Sequence, residues 1–190
     1  MANNEFFLLR HAKTEITNNL PASKWKLSEK GIVEAEELTM LKEFNDLDII
    51  ISSYEKKAYH TVKPLALRDS LSIFQFYEFN ELDRDSGEFL KTQEQYIQIV
   101  KQCMHEIDKS FNNWETADHA MNRFSRKIDE LDKMYENKRI LIVSHGIVLN
   151  LYFAKKMNQL DNTYERWKKT TFCDYGIIRD GFVVKDIAKL

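Results

Sequence analysis

Two short apolar runs, far apart in the chain and each ending in a histidine, constrain this fold most. Phe6-Phe7-Leu8-Leu9 stops at Arg10-His11, and Ile140-Leu141-Ile142-Val143 stops at Ser144-His145-Gly146. Runs of this length fit strands buried on both faces better than long helices. Open α/β sheets bind ligands outside the carboxyl ends of their strands, so each run delivers an imidazole to the edge where ligands sit. At the first run the Arg10 guanidinium offers a fork of donors matched to phosphate oxygens. Its charge also lowers the pKa of a nearby imidazole, and a neutral imidazole has the lone pair that a nucleophile needs. At the second, Gly146 permits close backbone approach, and a helix beginning there would offer unpaired N–H groups to an anion. Taken alone, an Arg-His pair is more often a solvated strand end than a site, and His145 alone reads about equally as a helix cap.

Between and beyond these runs the pattern alternates. Ile16–Lys26 reads as a polar loop holding Pro21. Ser28 is a candidate N-cap with Glu29 in the first turn, and Ile32, Ala35, Leu38 and Leu41 recur at helical spacing to about Phe44. Asp48–Ile51 predicts a second buried strand ending in Ser52 and Ser53, then a helix to about Leu67. Leu71–Phe76 predicts a short third strand, followed by an acidic loop over Tyr77–Gly87. Thr92 with Gln95 forms a capping box. The helix it opens places Ile97, Val100, Met104, Ile107 and Phe111 on one face, a pattern that core packing explains. His105 and Cys103 share that helix and need no chemical role. A helix from about Ala117 to Tyr135 repeats the pattern with Met121, Phe124, Ile128 and Leu131. Asp180-Gly181 joins Asp174–Arg179 to Phe182–Ile187 as a terminal hairpin. The alternation predicts a three-layer α/β/α sandwich with a mostly parallel central sheet. At 190 residues it is expected to form one domain, with a small helical cap at 86–115.

A net charge of −2 gives no reason to expect nucleic acid or an anionic membrane as partner, so any anion binding must be local. Cys103 and Cys173 have no metal-ligand spacing and read as thiols in a reducing compartment. With no leader pattern and no apolar run near the ~20 residues of a membrane span, the chain reads as cytoplasmic.

The ordered fragments resemble the histidine phosphatase superfamily, the phosphoglycerate-mutase-like phosphohistidine enzymes. Leu9-Arg10-His11-Ala12-Lys13-Thr14 stands where that family has its Arg-His-Gly signature. Leu27-Ser28-Glu29-Lys30-Gly31 is similar to its Leu-Thr-x-x-Gly helix start, and Ser52-Ser53, Lys57-Ala58 and Thr61 to its Ser-Ser-x-x-x-Arg-Ala-x-x-Thr segment. Glu81 falls where the family places its acidic proton donor, and Ser144-His145-Gly146 matches its second histidine. The sequence departs twice. Ala12 replaces a glycine, tolerable where φ stays negative. Lys57 replaces an arginine, keeping the charge without the bidentate fork.

The resemblance implies a phosphoglycerate-mutase-like fold and a metal-independent phosphomonoester hydrolase with no cofactor, acting on a small phosphorylated substrate. It implies His11 as the phosphorylated nucleophile, Glu81 as proton donor, and Arg10, Lys57, His145, Gly146 and Asn18 around the phosphate. Thr17 is the alternative to Asn18. Glu78 and Asp83 compete with Glu81, and Arg84 is a candidate to compensate for Lys57. Trp25, Phe89, Tyr96 and Trp114 are candidate pocket walls, each at least as readily core. The nearest alternative is a mutase sharing the first half-reaction. Behind it stand a catalytically weak phosphate-binding or regulatory scaffold and a metal-dependent hydrolase built on the two histidines.

Overall fold

The structure, a computed structural model, describes residues 3–17 and 20–189. Six strands form one sheet in the order β3-β2-β4-β1-β5-β6. The strands are β1 (Glu5–Arg10), β2 (Ile49–Ser52), β3 (Ile73–Gln75), β4 (Arg139–Ser144), β5 (Tyr175–Arg179) and β6 (Phe182–Lys185). β1, β2, β3 and β4 run parallel, and the β5–β6 hairpin joins antiparallel to β1. Asp180 and Gly181 both take positive φ in its turn, as a two-residue hairpin that follows the sheet's twist requires.

The apolar runs work because they are buried on both faces. Phe6 and Leu8 of β1 join Ile140 and Ile142 of β4 in one cluster, while Phe7 and Leu9 join Leu141 and Val143 in the other. Helices α3 (Gln93–His105), α4 (Ala117–Met134) and α5 (Gly146–Lys156) contribute to the first cluster, and α2 (Lys56–Asp69) to the second. Thr92 and Gln95 form the expected reciprocal cap. α3 sends Val100, Cys103 and Met104 into the first cluster, so part of segment 86–115 shares that core. Among the described residues no helix is long and apolar enough to cross a membrane.

The first helix departs from expectation. α1 (Glu29–Glu37) gives way to 3-10 turns at Leu38–Met40 and Lys42–Phe44, and Ile32 is 54 % exposed. A Cβ on Gly31 would lie 1.9 Å from the Lys13 carbonyl oxygen, so the helix is pressed through its glycine against the segment that follows β1. That contact turns Gly31, Ala35 and Leu38 inward and leaves Ile32 in solvent. Ser28 caps the helix by accepting from the Gly31 N–H at 3.1 Å.

Candidate active site

Arg10 pairs with Ser144 at the carboxyl ends of adjacent parallel strands, so the residues that follow are neighbours. The His11 N–H donates to the Ser144 carbonyl at 3.0 Å, and the His11 and His145 rings lie 5.0 Å apart between centroids. His11 is 7 % exposed and His145 is fully buried. Burial holds both imidazoles well below the ordinary histidine value. The charges of Lys57 and Arg10 push both the same way; His145 adds to the effect on His11, and Arg84 and Arg123 to that on His145.

His11 Nδ1 lies 2.8 Å from the Ala12 carbonyl oxygen. A carbonyl only accepts, so Nδ1 carries the ring proton and Nε2 keeps its lone pair. The turn is fastened from α2: the Ala12 N–H donates to Thr61 Oγ1 at 2.9 Å, whose hydroxyl donates to the Lys57 carbonyl at 2.7 Å. Thr61 is thus a latch on the strand end. Among the described residues, positive φ at non-glycine positions occurs at Cys173 and eight others, Ala12 not among them, so this backbone accommodates alanine.

Arg10 donates from Nη1 to the Thr170 carbonyl at 2.7 Å, and its guanidinium sits 4.5 Å from the Phe172 ring centroid. The Thr170 hydroxyl donates to Asn150 Oδ1 at 3.1 Å, and Asn150 Nδ2 donates to the Gly146 carbonyl at 2.8 Å. The second histidine's helix therefore carries the support of the first histidine's arginine. A Cβ on Gly146 would come within 3.0 Å of Arg10 Cζ. His145 Nε2 is 2.8 Å from Ser53 Oγ. Arg10 Nε and His145 Nδ1 are buried without a partner among the described residues.

The helix start was expected to present free N–H groups to an anion. Two of them are already engaged: Ile147 and Val148 donate to the Glu81 carboxylate at 3.0 Å each, and the Leu82 N–H donates to it as well. A buried carboxylate occupies the positive end of α5, and Gly146 serves there as the space into which Arg10 packs. Arg123, on α4, fixes the Glu81 segment. All five of its N–H groups act as donors: to the carbonyls of Glu78, Asn80 and Glu81 at 2.7–2.9 Å and to the Glu115 carboxylate at 2.8 Å. Glu78 is half-buried and Asp83 exposed, whereas Glu81 is buried.

Lys57 is buried, with its ammonium 2.5 Å from Glu55 Oε2 and donating to the Ala22 carbonyl at 2.7 Å. Arg84 is half-buried, its guanidinium 5.4 Å and 5.5 Å from the Tyr96 and Trp114 ring centroids. A cleft of about 440 Å³ is lined by Glu55, Glu81 and Arg84, with Tyr54 and Tyr77 as its aromatic walls. Of the aromatics proposed from sequence, Trp114 belongs to the core, Phe89 is 61 % exposed, and Trp25 donates to the carbonyls of Thr17 and Leu20. Asn18 lies outside the described residues. Among the described residues no group of three or more His, Cys, Asp or Glu side chains could hold a metal ion.

Glu55, Phe172, Arg123, Thr170 and Asn150 were not foreseen. Arg123 did leave a signal, a charge beside Phe124 on the apolar stripe of its helix. Glu55 carries no local sequence signal, and nothing in the sequence marks the Thr170–Phe172 segment.

Residues 6–188 match the family described as Histidine phosphatase superfamily (branch 1). The chain is 25 % identical over 160 residues to phosphoserine phosphatase 1 of Hydrogenobacter thermophilus, spanning 79 % of this chain and 74 % of that protein. Among solved structures, a mycobacterial glucosyl-3-phosphoglycerate phosphatase superposes with a TM-score of 0.79 at 15 % identity, over 97 % of this chain and 99 % of that one. YhfR of Bacillus stearothermophilus gives 0.78 at 19 % identity, over 96 % and 95 %. At these identities the structural likeness speaks to the fold.

Proposed function

The chain belongs to the histidine phosphatase superfamily, branch 1, and is a phosphatase of it; on that premise we propose that it hydrolyses small phosphomonoesters through a phosphohistidine on His11. The observation that carries this reading is the bond from His11 Nδ1 to the Ala12 carbonyl at 2.8 Å. It leaves Nε2 as a neutral nucleophile, with the second imidazole 5.0 Å away.

In the first step Nε2 attacks phosphorus and the ester oxygen departs, taking a proton carried on Oε2 of the Glu81 carboxyl, which accepts one backbone N–H where Oε1 accepts two. Arg10 and His145 bind the equatorial oxygens, and this reading gives Arg10 Nε and His145 Nδ1 the partners they lack among the described residues. Ser53 Oγ accepts from the Glu55 N–H at 3.2 Å. On this reading the Ser53 hydroxyl proton lies in the 2.8 Å bond with His145 Nε2, which puts the ring proton on Nδ1, facing the phosphoryl oxygen as a donor. In the second step water attacks the phosphohistidine, Glu81 takes its proton, and phosphate leaves with His11 restored. Lys57 contributes charge from behind Glu55, and Asn18 remains a proposed phosphate contact. Cys103 and Cys173 are both free thiols, which fits the cytoplasmic setting we infer.

A screen of small phosphomonoesters, phosphoserine included because of the relative that bears that name, tests the proposal. Run with and without chelator, it should find turnover that chelator leaves intact and that His11→Ala abolishes without unfolding the chain. Activity that dies with chelator and survives the substitution would overturn the proposal. The Glu55–Lys57 pair favours a second reading, a weak phosphate-binding scaffold, which expects phosphate binding with no turnover of any ester.

A further inference from the structure

Glu55 occupies the N-cap position of α2, where a side chain ordinarily accepts from the first turn. It makes no such bond. Its carboxylate, 6 % exposed, turns into the cleft and touches three parts of the site. Oε2 lies 2.5 Å from Lys57 Nζ. Oε1 accepts from the Glu81 N–H at 2.8 Å and stands 3.4 Å from His145 Nε2. The lysine that replaces a bidentate arginine is therefore committed to a carboxylate and to the Ala22 carbonyl before any phosphate arrives.

A phosphomonoester brings about two negative charges at neutral pH. Beside the two histidines it must share the buried Lys57 ammonium with Glu55, and because both side chains are shielded from water it feels the Glu55 charge as repulsion that solvent screens poorly. Orthophosphate, the product of the proposed reaction, meets the same opposition with no leaving-group contacts to offset it.

We propose that Glu55 is a positioning residue that sets the anion affinity of this pocket through Lys57, keeping orthophosphate weakly held so that it leaves after each turnover. Its use in turnover rests on the phosphatase reading; its effect on anion binding does not. Isothermal titration with inorganic phosphate and orthovanadate tests it on the wild type, Glu55→Gln, Glu55→Asp, Lys57→Gln and the double variant Glu55→Gln/Lys57→Gln. Glu55→Gln keeps the shape and an acceptor for the Glu81 N–H while removing the charge, and should bind phosphate at least about tenfold more tightly. Glu55→Asp should stay near the wild type, and the tightening should vanish without Lys57. Glu55→Ser also removes the charge and supplies a favoured N-cap, so it gives the same reading if the glutamine variant folds poorly. A merely structural role cannot tighten binding. Unchanged or weaker phosphate binding in both uncharged variants, or tightening that survives in the double variant, overturns the inference. Tightening in a chain that hydrolyses no ester supports the inference and sinks the function proposed above. Turnover with unmoved phosphate affinity does the reverse.

Discussion

Arg123 Nη2 donates to the backbone carbonyl of Glu81 at 2.9 Å, joining the fourth helix to the segment that holds the proposed proton donor. The same guanidinium binds the Glu115 carboxylate at 2.8 Å, so segment and helix are fixed by one side chain. Arg123→Met removes every donor and leaves Glu115 and three carbonyls short of partners. It should lower stability by about 3 kcal/mol, measured by urea unfolding. Arg123→Lys keeps the charge but not the fork, so it should recover much of the stability while kcat stays low. A lysine variant with parental kcat would show that Glu81 needs no such fastening.

Gly146 separates activity from stability. A methyl group there would lie within 3.0 Å of Arg10 Cζ, yet alanine suits a first helical turn better than glycine by about 0.5–1 kcal/mol. Gly146→Ala should therefore leave Tm close to the parent's, the helix gain offsetting the weakened Arg10–Thr170 bond, while raising KM for phosphomonoesters roughly tenfold or more, because the guanidinium is pushed from its seat on Phe172. Parental KM would mean that Arg10 is not needed where it lies.

The two buried imidazoles predict how stability follows pH. An unfolded histidine takes up a proton near pH 6.5, whereas burial and the neighbouring cations keep His11 and His145 neutral to markedly lower pH. Below about 6.5 the unfolded chain binds protons that the folded chain refuses. Stability is then lost at about 1.4 kcal/mol per pH unit for each histidine, until the folded-state values are passed. Melting curves through this window should show a falling Tm, with a shallower fall in His145→Asn. A Tm that is flat below 6.5 contradicts the burial of neutral rings.

Lys57 is tied to fold and chemistry together. Lys57→Ala leaves the Glu55 carboxylate buried beside His145 with no cation, so about 3–5 kcal/mol of stability should disappear. Adding Glu55→Gln should restore much of it. If the single variant melts with the parent, the 2.5 Å ion pair contributes nothing in solution.

The parts of this fold that sequence reveals are those where a single local rule decides. β1 and β4 are apolar on both faces because helices cover both, and a short unbroken apolar run is the direct trace of that. The C-terminal turn shows through Asp180-Gly181, and α4 through Met121, Phe124, Ile128 and Leu131. Ile32 misled because apolar spacing cannot say which face of a helix meets the chain, and here Gly31 takes that contact against Lys13. The site divides the same way. His11 and His145 follow their strands and are legible, whereas Glu55 and Arg123 act through partners far along the chain. Their side chains could as well have been solvated, and only the packed arrangement shows where they point.

The central claim is a covalent one, and trapping the intermediate tests it most directly. Acid quench of the enzyme during turnover of a substrate labelled in its phosphoryl group, followed by peptide mapping, reads the attachment site. The account predicts an acid-labile, base-stable label on the peptide that carries His11, and none in His11→Ala. A wild-type enzyme that turns over without ever holding label, or a label that persists when His11 is replaced, would contradict it.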